Sequence, residues 1–97
     1  MSYSIYYSNE AAQDLTDILV YLSQFYPSTP IRFRAALEHN LQLVSFNPHG
    51  CPRYEHRPEY RKLNVKKYLV FYEIDEEAQC VKIYRIRHGS QNIQNSW

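Results

Sequence analysis

The residues best able to do chemistry in this 97-residue chain are cations. Six of them, Arg53, Arg57, Arg61, Lys62, Lys66 and Lys67, are clustered in one short stretch against only Glu55 and Glu59. A second group, Arg85, Arg87 and His88, lies nearer the C-terminus. Clustered Arg and Lys recognise phosphate or carboxylate, and a histidine beside them can carry protons near neutral pH. In an extended segment successive side chains alternate, so Arg61 shares a face with Leu63 and Val65, while Lys62, Asn64 and Lys66 share the other. Arg85 and Arg87 likewise fall on one face. Lysine on the outer side of a strand also guards an edge against aggregation, which gives the first cluster an equally weighty structural use. If the strands carrying the two groups are neighbours, both converge on one surface.

Other chemistries are poorly represented. No paired-carboxylate or nucleophile motif stands out, and nothing in the order of Ser, His and acidic residues builds a triad. His49, Cys51 and His56 have a spacing that matches no zinc pattern, and a structural zinc site takes four ligands. Neither a metal nor a cofactor is therefore expected. The chain has two glycines and no glycine-rich phosphate loop. Cys51 and Cys80 form no CxxC pair, the N-terminal residues lack the pattern of a signal peptide, and no apolar stretch is long enough to span a bilayer. These features lead us to expect one domain over residues 1–97, cytoplasmic, without a membrane partner or room for an independent small-molecule pocket.

The formal net charge of +1 conceals an asymmetry. Residues 1–50 carry two basic and four acidic side chains, whereas residues 51–97 carry nine basic and six acidic. The basic half is suited to an acidic partner or to nucleic acid.

The elements that must position these cations follow from periodicity. Tyr3, Ile5 and Tyr7 alternate as in a short strand, and Ser8 or Asn9 can cap the helix that follows. Ala11, Leu15, Ile18, Leu19, Leu22 and Phe25 form one apolar stripe, with Asp14 and Asp17 off it toward solvent, and Tyr26-Pro27 stops the helix. Thr29 reads as the cap of a second helix with Pro30 at its first position, and Phe33, Ala36, Leu37, Leu41 and Val44 carry its stripe. So short a connection makes the helices an antiparallel hairpin. Residues 47–59 have no periodicity and form a loop long enough to suspect a purpose. Strands are then expected at 61–65, at 68–74 (continuously apolar, hence buried on both faces) and at 80–87, followed by a weakly helical or extended tail. Tyr68, Tyr72 and Tyr84 are assigned to packing, although aromatics among cations can also stack on bases. The fold class is α+β: an N-terminal strand and a helical hairpin packed on a mostly antiparallel four-stranded sheet.

The run from Arg57 through Arg61-Lys62-Leu63-Asn64-Val65-Lys66-Lys67-Tyr68 to Tyr72 resembles the central segment of the RelE/ParE toxin superfamily. Val81 to Ile93, with His88-Gly89-Ser90, resembles its closing strand and ending, and the opening strand and hairpin agree. The resemblance implies a toxin of a bacterial type II toxin–antitoxin module, held silent by a cognate antitoxin. ParE-like members poison DNA gyrase; RelE-like members cut mRNA on the ribosome without metal. Leu69 stands where RelE-like chains often have Arg, and Ser90 to Trp97 lacks their late basic residues and Tyr. Lys66-Lys67 replaces a common glycine turn, and Gln91 and Asn92 stand where Arg and Asp are usual. The ParE-like reading is favoured, with Arg61, Lys62, Lys66, Lys67, Arg85, Arg87 and His88 as the surface for target or antitoxin. The alternative is the ribosome-dependent nuclease, with Arg61, Lys62 and Arg85 holding phosphate and His88 transferring protons. A third reading is a degenerate member kept only as an antitoxin-binding partner.

Overall fold

The computed structural model describes residues 2–90; the expected tail, with Gln91, Asn92 and the other residues to Trp97, lies outside the described residues. Strand β1 (Ser4–Tyr7) leads into helix α1 (Asn9–Leu22), then α2 (Ser28–Phe46), a 3-10 turn at Pro48–Gly50, and strands β2 (Arg61–Val65), β3 (Tyr68–Asp75) and β4 (Cys80–His88). The strands form one sheet in the order β1-β4-β3-β2, antiparallel except where β1 runs parallel to β4. The α+β architecture expected from periodicity is the observed one.

Ser8 caps α1: its hydroxyl accepts from Ala11 N–H at 3.0 Å and donates to the Tyr84 carbonyl at 2.8 Å, tying the helix start to β4. Two helix boundaries differ from expectation. Helix α1 stops at Leu22, and Ser23, Gln24 and Phe25 turn the chain, the Gln24 and Phe25 N–H groups bonding back three residues. Helix α2 begins at Ser28 behind Pro27 with no side-chain cap. Pro30 still falls in the first turn, where a missing N–H costs nothing because that group would have no intrahelical acceptor.

The hairpin packs on one sheet face. Ala11, Ile18, Phe33, Leu37 and Leu41 meet Val65, Tyr68, Val70, Ile83 and Ile86 there, all buried. Below them Val44, Tyr72 and Val81 continue the core. The opposite face is covered at its centre by the 47–59 loop, whose Tyr54 ring lies 4.9 Å from Phe71. Strand β3 is thus buried on both sides, as its continuous apolar run required. The loop also pairs with the outer edge of β2, through Lys62 N–H to the Pro52 carbonyl at 3.0 Å and Tyr54 N–H to the Tyr60 carbonyl at 2.8 Å.

The β2–β3 turn places Lys66 at φ 57°, where an L side chain is disfavoured and glycine is not. Lys66→Gly should therefore raise stability by about 0.5–1 kcal/mol, the relief of a left-handed residue partly offset by glycine's larger unfolded-state entropy. A urea unfolding midpoint that rises at unchanged m-value would bear this out; a midpoint that falls would contradict it.

Candidate functional site

Register decides which of the cations meet. Across β2, β3 and β4, Lys62 pairs with Phe71 and Phe71 with Arg85; one row on, Asn64 pairs with Leu69 and Leu69 with Arg87. Directly opposed residues share a face, so Lys62 and Arg87 project from the side away from the helices, whereas Arg85, next to the register shift in the β3–β4 ladder, turns to the sheet edge. Two strand spacings separate Lys62 from Arg85, roughly 10 Å. Beside them Tyr60 and Tyr84 stack at 4.7 Å with rings 17° apart, and the Arg57 guanidinium lies over both, 5.3 and 6.0 Å from their centroids. Arg57 belongs to the cation cluster of the sequence but not to the surface proposed from it, Tyr84 is assigned there to packing, and Tyr60 is not singled out. The loop signal at 47–59 pointed to the region, but only the fold brings Tyr60 against β4.

Arg61 alternates to the helix side, paired with Tyr72. Its Nη1 donates to the carbonyls of Cys51 at 2.7 Å and His49 at 3.3 Å. The Tyr72 hydroxyl donates to the Pro48 carbonyl at 2.7 Å. Burial, reinforced by the neighbouring Cys51, pushes the Tyr72 phenol well above its ordinary pKa. Arg61 and Tyr72 together fasten the 3-10 turn and the start of the loop to the sheet.

Arg85 is also engaged. Its Nε and Nη2 donate to the two carboxylate oxygens of Asp14 at 2.8 and 3.0 Å, and Ile86 N–H donates to Asp14 Oδ2 at 2.9 Å. Hydrogen bonding from the carboxylate holds the Arg85 pKa above its usual value, against the opposing effect of burial. Asp14 does not face solvent as its position off the stripe suggested; its side chain is only 11% exposed. The reason lies in strand length. Strand β1 covers β4 only from Cys80 to Ile83, and beyond that point the free edge of β4 is met by Ser8 and Asp14 of α1.

His88 falls on the helix side, opposed to Tyr68, with the rings 5.1 Å apart edge to face. Its Nδ1 accepts from Ser90 N–H at 3.1 Å. Lys66 and Lys67 stand exposed at the turn beside it, and Gly89 N–H closes this end of the sheet by donating to the Lys67 carbonyl at 2.8 Å. The seven residues singled out in the sequence thus divide. Lys62 and Arg87 share the open face, Arg85 is held at the sheet edge by Asp14, Arg61 fastens the loop, and Lys66, Lys67 and His88 gather at the turn end. On the open face burial pushes the Tyr60 phenol upward, so it stays protonated at neutral pH.

His49 Nε2 lies 2.7 Å from Glu76 Oε1, and Cys51 and His56 do not join it in a ligand set. Among the described residues there is no group of three or more His, Cys, Asp and Glu able to hold a metal ion. No helix among them is long and apolar enough to cross a membrane.

The chain belongs to the ParE toxin family: the model for the ParE toxin of the type II toxin–antitoxin system parDE matches residues 5–93. Solved structures share the fold at low identity. A chromosomal ParDE system from P. aeruginosa aligns with a TM-score of 0.75 at 16% identity, over 90% of this chain and 96% of that one. The E. coli toxin RelE, a mutant in the free state, aligns with a TM-score of 0.72 at 15% identity, over 99% and 93%. The RelBE2 toxin–antitoxin complex from Mycobacterium tuberculosis aligns with a TM-score of 0.64 at 21% identity, over 91% and 99%. No curated protein sequence matches the chain significantly.

Proposed function

We propose that this toxin arrests bacterial growth by poisoning DNA gyrase in the cytoplasm and is neutralised by a cognate antitoxin. The observation that supports gyrase over mRNA is the dispersal of the groups a metal-free nuclease needs. Such cleavage requires a base for the 2′-OH, cations on the phosphate and an acid for the leaving oxygen, all within hydrogen-bond reach of one scissile bond. Here His88 lies on the opposite face of the sheet from Lys62, Arg61 is bonded to the carbonyls of the loop, and Arg85 is held by Asp14. On the open face Lys62 and Arg87 flank the apolar Leu69, and Arg57 lies over the Tyr60–Tyr84 pair. That arrangement suits docking to a protein better than general acid–base chemistry. Lys62, Lys66, Lys67, Arg87 and His88 are the proposed target contacts, with Arg61 and Arg85 shaping the surface they stand on. The antitoxin is proposed to cover the cations of the open sheet face, Lys62 and Arg87, and several of the structural relatives are toxin–antitoxin complexes.

A ribosome-dependent endoribonuclease is the second reading, favoured by the Tyr60–Tyr84 stack under Arg57 beside Lys62, since bases stack on such aromatics. An in vitro test separates the two. The purified chain, added to gyrase, ATP and supercoiled plasmid, should accumulate protein-linked linear DNA, and Lys62→Glu with Arg87→Glu should suppress it by about tenfold or more. Unchanged gyrase turnover together with cutting of ribosome-bound mRNA would establish the nuclease instead. Activity in neither assay would leave the chain an antitoxin-binding partner alone.

A further inference from the structure

At the turn end of the sheet, between the hairpin tip and the β2–β3 turn, lies an open concavity of about 580 Å³. Its apolar wall is made by Phe33 and Tyr68, whose rings meet edge to face at 5.1 Å, and by Phe25, which is 55% exposed. Its rim carries Arg32, Lys66 and Lys67. No side-chain hydrogen bond or ion pair ties Arg32, Lys66 or Lys67 to any described residue, and no Asp or Glu lines the concavity. The first turn of α2, which opens at this tip, also lacks an acidic residue.

Leaving such a feature uncovered has costs. The Phe25 and Tyr21 rings stand half in water, and like charges stand close together without a counter-charge. We propose that the hairpin-tip concavity is a docking pocket for an acidic peptide segment of the protein this toxin disables, anchored by one aromatic or branched apolar side chain. The anchor enters against the exposed Phe25 and Tyr21, whose rings lie 5.3 Å apart, while flanking carboxylates meet Arg32, Lys66 and Lys67. Nucleic acid is the poorer occupant: the cations cluster at one mouth instead of tracking along a groove, as a phosphate backbone requires. Commitment to the target follows from continuity, because Lys66, Lys67 and His88 belong both to this rim and to the surface proposed above for target contact. The inference rests on the growth-arrest reading but not on which machine is arrested.

Two experiments test it. In the first, the full chain is titrated with a short synthetic peptide of Asp and Glu around a single Phe, followed by backbone amide shifts. The expected result is binding that moves the Phe25 and Tyr21 signals and weakens with salt. It should drop by about tenfold with Lys66→Glu plus Lys67→Glu, and vanish when the peptide's Phe is replaced by Ala or its acids by Lys. Binding indifferent to charge reversal, shifts confined to the open sheet face, or displacement of the peptide by a single-stranded oligonucleotide would overturn the proposal. In the second, Arg32→Glu, Lys66→Glu and Lys67→Glu are combined and expressed with and without antitoxin. All three positions are solvent-facing, so the melting temperature should hold, while growth arrest is lost and antitoxin co-purification kept. Retained arrest would overturn the pocket's role, and loss of antitoxin binding would reassign it to the antitoxin. If the unsubstituted chain itself fails to arrest growth, the functional reading falls and the commitment to a target with it, whereas the titration still decides whether the pocket takes an acidic segment.

Discussion

Replacing Phe71 with alanine is expected to cost about 3–5 kcal/mol of stability, a large part of what a small domain possesses. Phe71 is fully buried at the middle of the sheet, on the face that the hairpin does not cover. Its cover is a single loop, whose Tyr54 ring packs on it at 4.9 Å and is itself braced by His56 at 5.3 Å. Truncating Phe71 removes the surface the loop sits on, so the loop should loosen before the sheet does. Chemical denaturation should show the lowered midpoint. Hydrogen exchange should show faster exchange at the Tyr54 and Tyr60 amides, which bond across the loop, while the β3 and β4 amides keep a common, lower protection. The open face would suffer as well, because Tyr60 is brought to Tyr84 by that same loop. A loss of under about 1 kcal/mol would mean that the loop contributes little to covering the sheet.

The second large effect is expected at Asp14. Asp14→Ala removes both acceptors of Arg85 and the acceptor of Ile86 N–H, and leaves a guanidinium whose side chain is 22% exposed without a counter-charge. We expect a loss of about 2–4 kcal/mol, somewhat under the range for a fully buried pair because water still reaches Arg85. Asp14→Asn keeps one acceptor and the same shape, and should cost about half as much. A double-mutant cycle with Arg85→Met measures the coupling directly. Independent, additive losses would show that the carboxylate and guanidinium do not act as a unit. The pair has a further consequence for function. Substituting Arg85 lowers stability as well as charge, so lost toxicity in an Arg85 variant assigns it to a binding role only if the folded fraction is measured alongside.

Most of the architecture was legible because each element carries its own period. The stripe from Ala11 to Leu22, the stripe from Phe33 to Val44 and the unbroken apolar run at β3 each identify an element and its buried side without knowledge of the others. The cations were legible as a cluster for the same reason. Their division was not. Arg61 and His88 belong to the helix face, Lys62 and Arg87 to the other, and Arg85 to the edge beside Asp14, because of strand register and the irregularity between Phe71 and Tyr72 in the β3–β4 ladder. Asp14 shows the same limit from another side. Its helix position lies off the apolar stripe, which reads as solvent, yet β1 is four residues long and β4 nine, so an uncovered strand edge waits beside it. Unequal strand lengths become visible only when the strands are paired. The docking pocket is likewise a product of assembly, since Phe33, Tyr68 and the Lys66–Lys67 turn come from three elements.

The central claim, a toxin that acts on gyrase through a cationic sheet surface, is tested most directly by one induction experiment. The chain is induced briefly without antitoxin, and gyrase–DNA cleavage complexes and mRNA 5′ ends are mapped in the same cells. The account predicts growth arrest with accumulated cleavage complexes and unchanged 5′ ends, both effects reversed by Lys62→Glu with Arg87→Glu. In-frame mRNA cuts at codons on the ribosome, with no rise in cleavage complexes, would contradict it.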